Sequence, residues 1–279
     1  MTQTNTNCKI IVITSGKGGV GKTTTTANIG AGLAMKGYKV ALIDTDTGLR
    51  NLDLLLGLEN RIMYDLVDVT SGKIPYKKAL VRHKKYETLF LLPTSQTKDK
   101  LAVSPEQVVT LCAEMSVDFD FILIDCPAGI EQGFKTAVAA ADIALVVTMP
   151  EISAVRDADK IIGELNRADK ENILLIVNRI RPDMVAKGEM LDLDDINDIL
   201  AIKCIGQIPD DEMVVSSTNR GEPVIANTKS QAGIAYQNIT RRLCGEDVPF
   251  MTFRTKESFF DRLKKIILIK ESIILCLRL

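Results

Sequence analysis

Two lysines stand in a glycine-rich stretch near the start of the chain, SGKGGVGKTTTT at residues 15–26. The glycines match G-x-G-x-x-G, the dinucleotide-binding fingerprint, and the same letters match G-x-x-x-x-G-K-T, the P-loop of nucleoside-triphosphate hydrolases. In both patterns, backbone N–H groups of a turn and of a helix N-terminus bind phosphate. The stretch therefore indicates a nucleotide site, but its glycines alone leave the kind of nucleotide open.

The lysines favour the P-loop. Lys22 would lie in the first turn of the following helix, at the positive end of the helix dipole, where a cation is unfavourable unless an anion lies nearby. Lys17 adds a second charge to the same loop, and the β- and γ-phosphates of a triphosphate can bind both ammonium groups. Thr23 supplies the hydroxyl that a P-loop uses on Mg²⁺. The predicted nucleotide-binding residues of the loop are Gly16, Lys17, Gly18, Gly19, Val20, Gly21, Lys22, Thr23 and Thr24.

Carboxylates follow two of the apolar runs that we interpret as strands. FILIDCPAG ends its run at Asp125, the Walker B position beside the P-loop magnesium. KVALIDTD ends with Asp44 and Asp46, either of which could orient an attacking water. We favour Asp46 because a glycine follows it and allows a mobile loop. Thr23, Asp46 and Asp125 are the predicted magnesium-shell residues, in part through water.

The elements that must position these residues are short runs of Val, Ile and Leu that alternate with helical stretches. The runs are IIVIT, VALID, LFLL, FILID, IALVV, ILLIVN and CIGQI. Continuous apolar strands separated by helices are typical of a parallel sheet that is covered on both faces. We predict an α/β fold with a doubly wound, mostly parallel sheet of the P-loop NTPase type. Residues 1–250 form one ATPase domain, and residues 251–279 form a C-terminal tail.

The composition of the chain disfavours some classes of function. The chain has 279 residues, of which 46% are hydrophobic, and a formal net charge of −1, so no global basic field favours nucleic acid. Six scattered cysteines without metal-like spacing indicate a reducing compartment. The N-terminus lacks a signal-peptide pattern. The single histidine, His83, stands in the polar stretch RHKKYE and is predicted to be a solvated loop residue.

The loop KGGVGKTT resembles the deviant Walker A motif of the ParA/MinD ATPases. Further stretches between about residues 9 and 250 are similar to the MinD branch of that family: DTGLRNLDLLLG, LLPTSQTKDK, DCPAGIE, SAVRDADKIIG and NRGEPVI. Within them, GLRNLD and SQTKDK separate this branch from its plasmid-partitioning relatives.

This resemblance implies an ATP-hydrolysing homodimer that encloses ATP and Mg²⁺ and places the division septum through reversible membrane binding. Lys17, Lys22 and Asp46 would be catalytic, with Lys17 reaching the partner's nucleotide. Adenine would contact Asn178, Arg179, Pro209 and Asp211. A MinE-type activator and a MinC-type division inhibitor are the implied protein partners. The implied location is the cytoplasm or the plastid stroma, peripheral on the inner face of the membrane.

The tail has the pattern of an amphipathic basic helix. Lys270 and Glu271 interrupt it too much for a membrane span, so we expect it to lie in the interface of an anionic membrane. Its final stretch, IILIKESIILCLRL, is more apolar than a tail of this branch should be, which bears on how readily it is released. The predicted membrane-contacting residues are Phe259, Phe260, Leu263, Ile266 and Ile267.

Two other functions share the P-loop. A ParA-type DNA-partitioning ATPase is disfavoured by the near-neutral charge and the apolar tail. A reductase like the iron protein of nitrogenase needs two well-placed cysteines per subunit for a bridging cluster, and only Cys126 lies near the predicted site.

Overall fold

The computed structural model describes residues 8–46, 51–95 and 103–252. These residues form a single eight-stranded sheet with the strand order β3-β4-β2-β5-β1-β6-β7-β8. All neighbouring strands are parallel except β3, which pairs antiparallel with β4. The strands are β1 (Lys9–Thr14), β2 (Val40–Asp44), β3 (Val81–Arg82), β4 (Leu89–Leu92), β5 (Phe121–Asp125), β6 (Ile143–Thr148), β7 (Asn172–Ile180) and β8 (Lys203–Pro209).

Helices connect the strands and cover both faces of the sheet. Those before β5 are α1 (Lys22–Met35), α2 (Leu52–Leu55), α3 (Leu66–Thr70), α4 (Tyr76–Ala79) and α5 (Pro105–Met115). Those after it are α6 (Gln132–Val138), α7 (Ile152–Arg167), α8 (Pro182–Val185), α9 (Leu193–Leu200), α10 (Glu212–Thr218) and α11 (Gln231–Leu243). Short 3₁₀ turns occupy Glu59–Arg61 and Val224–Ala226.

The two hydrophobic cores follow from the alternation of side chains along each strand. On β1, Ile11 and Ile13 pack into the core under α1 and α11, whereas Val12 packs into the core under α5, α6 and α7. The central strands are therefore apolar on both faces, which explains why their runs in the sequence are continuous rather than alternating. The predicted doubly wound, mostly parallel fold in a single domain is confirmed, and β3 is a strand that the sequence pattern did not indicate.

β1 lies between β5 and β6, near the middle of the sheet. The strands that follow β1 in the chain, β2 to β5, lie on one side of it, and β6 to β8 lie on the other. In such sheets ligands bind beyond the carboxyl ends of the strands at this switch point. The glycine-rich loop follows β1 at that place. Within the described part of the chain, no helix is both long and apolar enough to cross a membrane. The predicted tail residues Phe259, Phe260, Leu263, Ile266 and Ile267 lie outside the described residues.

Candidate nucleotide site

The glycine-rich loop uses backbone conformations and close approaches that other residues would disturb. Gly19 and Gly21 have φ of 78° and 100°, in the left-handed region that favours glycine. A Cβ on Gly21 would lie 2.3 Å from Nδ2 of Asn178, and one on Gly16 would lie 2.3 Å from the carbonyl oxygen of Asp157. Nδ2 of Asn178 donates to the carbonyl oxygen of Val20 at 2.8 Å, so β7 supports the loop from below.

The N-terminus of α1 opens directly onto this loop. Its N-cap is Gly21, and no side chain in the described part of the chain caps it, whereas α3, α5 and α9 each begin with a capping box. The first turn of α1 contains no acidic residue either. Its backbone N–H groups and the positive end of the helix dipole are therefore available to an anion.

Lys22 extends back across the loop from the first turn of α1. Its side chain is buried, with 7% of its surface exposed, and its Nζ donates to Oγ of Ser15 at 3.0 Å. Ser15 in turn donates to the carbonyl oxygen of Lys17 at 2.8 Å. A buried ammonium with one hydroxyl partner has donors left for a further anionic group. Sequence reasoning missed Ser15, although it directly precedes the first glycine of the loop.

Lys17 occupies a different position, exposed at the edge of the loop. Its Nζ lies 3.5 Å from Oγ of Ser153 and 4.0 Å from Oε2 of Glu151, both at the start of α7. An exposed pair of this kind contributes about 0–1 kcal/mol. The side chain can therefore exchange these partners for a stronger anion at small cost.

Buried carboxylates face the loop from β2 and β5. Asp44 and Asp125 are partners in the register of the two strands, and each is 1% exposed. Burial raises the pKa of Asp125 to about 6, although hydrogen bonds from Thr23 and Thr26 and the charge of Lys22 act in the opposite direction. Burial, followed by the charge of Asp125, raises the pKa of Asp44 well above its usual range. Such a pair gains from a cation that both can approach.

Two further groups complete this carboxylate cluster. Oγ1 of Thr26 donates to Oδ1 of Asp125 at 3.1 Å, and the backbone N–H of Asp46 donates to Oδ1 of Asp44 at 2.9 Å. Asp46 is half-buried at the end of β2. Thr26 was not predicted, although it lies one helical turn after Lys22 and so shares its face of α1.

The donor set fits ATP and Mg²⁺. Among the described residues, no three His, Cys, Asp or Glu side chains are arranged to hold a metal ion by themselves. Magnesium in phosphoryl-transfer sites uses one or two carboxylates, waters and the substrate phosphates, so it needs no such cage. The Thr23 hydroxyl and the Asp125 carboxylate are the protein groups that would hold it. Once bound, the ion neutralises charge that develops on the phosphates.

The residues predicted to contact the base lie at the carboxyl end of β7, at the carboxyl end of β8 and just beyond β8. Asn178 is buried against the loop, while Arg179 is exposed and has a left-handed φ of 57°. A cavity of about 800 Å³ adjoins Arg179 and extends to Glu151 and Ser153. Pro209 ends β8.

The Asp211 carboxylate is already engaged within the chain. It accepts hydrogen bonds from Ser230 Oγ at 2.6 Å and from the N–H groups of Met213 and Ala232. Its contact with adenine stays a prediction, and the side chain itself fixes the start of α10.

Together the fold and the site define a P-loop nucleotide-binding domain with two lysines in its loop. A family profile described as "CobQ/CobB/MinD/ParA nucleotide binding domain" matches residues 11–224. The septum site-determining protein MinD of Synechocystis is 55% identical over 88% of this chain and 92% of its own length. The chain belongs to the MinD family of septum site-determining proteins, and it is a magnesium-dependent ATPase.

Solved structures agree with this assignment. The MinC:MinD cell division protein complex of Aquifex aeolicus has a chain that is 50% identical, with a TM-score of 0.83, over 88% of this chain and 100% of that one. The septum site-determining protein MinD of Pyrococcus horikoshii, complexed with Mg-ADP, is 29% identical with a TM-score of 0.76, over 85% of this chain and 96% of that one.

The family decides between the functions left open by the sequence. Burial raises the pKa of Cys126, the one cysteine singled out near the site, to about 12. One prediction about a single residue is wrong: His83 is buried, with 7% of its surface exposed, rather than solvated. Its ring lies 4.8 Å from the ring of Tyr86, and its Nδ1 accepts two backbone hydrogen bonds from its own loop.

Proposed function

We propose that this chain is a switch that dimerises when it binds ATP, associates with the membrane as a dimer, and thereby positions the division septum. The observation that carries the proposal is the contrast between the two lysines of the loop. Lys22 is buried and bonded to Ser15, whereas Lys17 is exposed and weakly paired with Glu151. One lysine is thus placed to bind the nucleotide of its own chain, and the other is free to reach outward.

The roles within one subunit follow from position. Lys22 and the N–H groups of residues 16–24 bind the phosphates, and Thr23 and Asp125 hold magnesium. Asp46 lies at the rim of the buried carboxylate pair, half-exposed, where a water can reach it. We assign it the orientation of the attacking water, with Asp44 holding its backbone through the 2.9 Å hydrogen bond. Asn178 and Arg179 adjoin the base.

The role across the dimer belongs to Lys17. Its ammonium leaves Glu151 and Ser153 and binds the phosphates of the partner subunit's nucleotide. Because the exposed contacts it gives up are weak, the exchange favours the dimer whenever ATP is present in both subunits. Hydrolysis reduces the phosphate charge between the subunits and releases them.

Membrane association is assigned to residues 251–279, whose apolar face includes Phe259, Phe260 and Leu263. One interfacial helix binds weakly, and linking two in a dimer can raise avidity by about 10² to 10⁴. The protein is then peripheral on the inner face of the membrane, in the cytoplasm or the plastid stroma. A MinC-type inhibitor is the proposed cargo of the dimer, since the Aquifex neighbour is a MinC:MinD complex. A MinE-type protein is the proposed activator.

The test is sedimentation with anionic liposomes in ATP and in ADP. The full chain should bind in ATP and be released in ADP, while Lys17→Ala and a truncation before Glu257 should stay in the supernatant in both. Equal binding in ATP and ADP would show that the apolar end holds even a monomer, which excludes a nucleotide switch. Binding that survives the truncation would remove the tail from the mechanism.

A further inference from the structure

A second cavity, of about 190 Å³, lies away from the nucleotide site. Residues 83–86 form one wall, residues 220–223 form another, and Leu56 and Gly57 complete it. The first wall precedes the amino end of β4, which runs parallel to β2, β5 and β1. The P-loop follows the carboxyl end of β1, and none of its residues lines this cavity. Its volume is below the range of about 300–1,000 Å³ for drug-sized ligands, which suits a small group.

The cavity wall has an excess of positive charge. Lys84, Lys85 and Arg220 line it, and Glu222 is the one carboxylate among its lining residues. None of the three cations forms an ion pair within the described part of the chain, although the neighbouring Arg82 pairs with Glu87 at 2.8 Å. When the imidazole of His83 is neutral, the three cations and the Glu222 carboxylate give the cavity lining a net charge of about two positive units.

His83 adds a buried donor to the same wall. Its Nδ1 accepts the backbone N–H groups of Lys85 at 3.0 Å and Tyr86 at 3.1 Å, which places the proton of the neutral ring on Nε2. That Nε2 is buried and has no hydrogen-bond partner among the described residues. Burial and the positive charges of Lys85, Lys84 and Arg61 lower the pKa of His83 to about 4, so the ring is neutral at physiological pH.

We propose that this cavity binds a phosphate-class oxyanion, with the His83 Nε2–H, both lysine ammonium groups and the Arg220 guanidinium as donors. A phosphate group carries a charge of about −1.5 to −2 and three strong acceptor oxygens, which matches two uncompensated charges and several donors. Because Nε2 is closed off from solvent, the side chains that cover it must move as the anion enters. The proposal is independent of the nucleotide site and of the proposed switch.

His83 also allows phosphate binding to be followed by NMR at the cavity itself. It is the single histidine of the chain, so the untagged full-length protein gives one imidazole Cε1–H resonance. Inorganic phosphate, titrated at pH 7 and constant ionic strength against NaCl, should shift this resonance saturably. Bound phosphate should also raise the pKa of His83 above about 4, because an adjacent anion favours the imidazolium.

Two double variants separate a built site from a general charge effect. The double variant Lys84→Gln/Lys85→Gln should weaken phosphate binding by about tenfold or more, since each of its two substitutions removes a charged donor. Lys77→Gln with Lys78→Gln removes the same charge from another adjacent lysine pair, on α4, and should leave the titration unchanged. An equal response of both double variants, or the same shift with NaCl alone, would overturn the proposal.

A second measurement identifies the source of the phosphate. The full chain and both double variants are sedimented with phosphatidylcholine vesicles, with and without phosphatidic acid. A saturable shift with inorganic phosphate supports a site for free phosphate. If phosphate gives no shift but Lys84→Gln with Lys85→Gln selectively weakens binding to phosphatidic acid vesicles, the ligand is a lipid headgroup. Failure of both measurements overturns the site.

Discussion

Replacing Asp125 by asparagine should stabilise the nucleotide-free protein at neutral pH while it removes the proposed magnesium ligand. The carboxyl group is 1% exposed, and burial raises its pKa to about 6 from a usual value of about 3.9. The nearby charge of Asp46 acts in the same direction as burial. Thr23, Lys22 and Thr26 favour the ionised form but do not compensate for burial.

The sign and size follow from linkage between protonation and folding. Below about pH 4, Asp125 is protonated in both the folded and the unfolded chain, and its ionisation costs the fold nothing. As the pH rises from about 4 to about 6 the unfolded chain ionises first, so stability falls, and above about pH 6 the loss is complete. At about 1.4 kcal/mol for each pH unit, the loss is on the order of 3 kcal/mol.

Asparagine removes this loss without removing the neighbouring contacts. Its Oδ1 can still accept from Oγ1 of Thr26, which lies 3.1 Å away in the parent. The charge of Asp125 is also the second cause of the raised pKa of Asp44, so that pKa should fall in the variant. We therefore expect the free energy of unfolding at pH 8 to rise by about 2–3 kcal/mol.

Urea unfolding from pH 4.5 to pH 8, without nucleotide or magnesium, measures the difference. The gap between Asp125→Asn and the parent should be smallest, about 1 kcal/mol, at the acid end and widen with pH. Asp159→Asn, at an exposed position on α7, is the control and should stay within about 0.5 kcal/mol of the parent. A variant that is less stable than the parent at pH 8, or a gap that does not change with pH, would refute the assignment of the penalty to this carboxylate.

Three further substitutions test the site, by fluorescent-nucleotide binding and phosphate release. Lys22→Ala should abolish ATP binding or hydrolysis, because it removes the buried ammonium at the loop, and wild-type turnover would contradict the P-loop role. Asp46→Ala should keep ATP binding and suppress hydrolysis, so that ATP-bound dimers accumulate in size-exclusion chromatography; normal turnover would assign the water to another group. Gly21→Ala should weaken ATP binding at least about tenfold, since its φ of 100° costs an L-residue about 1–2 kcal/mol and its Cβ would lie 2.3 Å from Nδ2 of Asn178. Gly163→Ala, on α7 outside the loop and with open space around its Cβ, is the control and should bind ATP like the parent.

The central strands could be predicted because burial on both faces leaves a continuous apolar run. All seven predicted runs correspond to strands, from KIIVIT at β1 to KCIGQIP at β8. The missed strand, β3, has only the two residues Val81–Arg82 and pairs at the sheet edge, so it carries no periodicity to detect. Likewise α2 and α4 have four residues each and depend on tertiary contacts rather than on their own pattern.

The site was predictable only where its residues are close in sequence or follow strand ends. The loop and Asp125 meet this condition. Ser153, 136 residues from Lys17, is brought in by the fold. Asn178, 158 residues from Val20, was named from the family resemblance as a contact of the base, and its support of the loop was not predicted. His83 was mispredicted because its neighbours in the sequence are charged. In the fold, its Nδ1 accepts hydrogen bonds from the backbone of its own loop, and residues 220–223, distant in sequence, lie across the cavity from it.

Several departures from ordinary local rules meet at the loop after β1. Glycines with positive φ, an uncapped helix N-terminus, a buried ammonium and a pair of buried carboxylates all occur around the loop after β1. Each costs the fold free energy on its own, and proteins concentrate such violations at functional sites. A nucleoside triphosphate with magnesium supplies an anion to the helix N-terminus and to the ammonium, and a cation to the carboxylates. Because a ligand of this kind binds the folded chain alone, ATP and magnesium together should raise its stability by mass action, and neither should do so fully without the other.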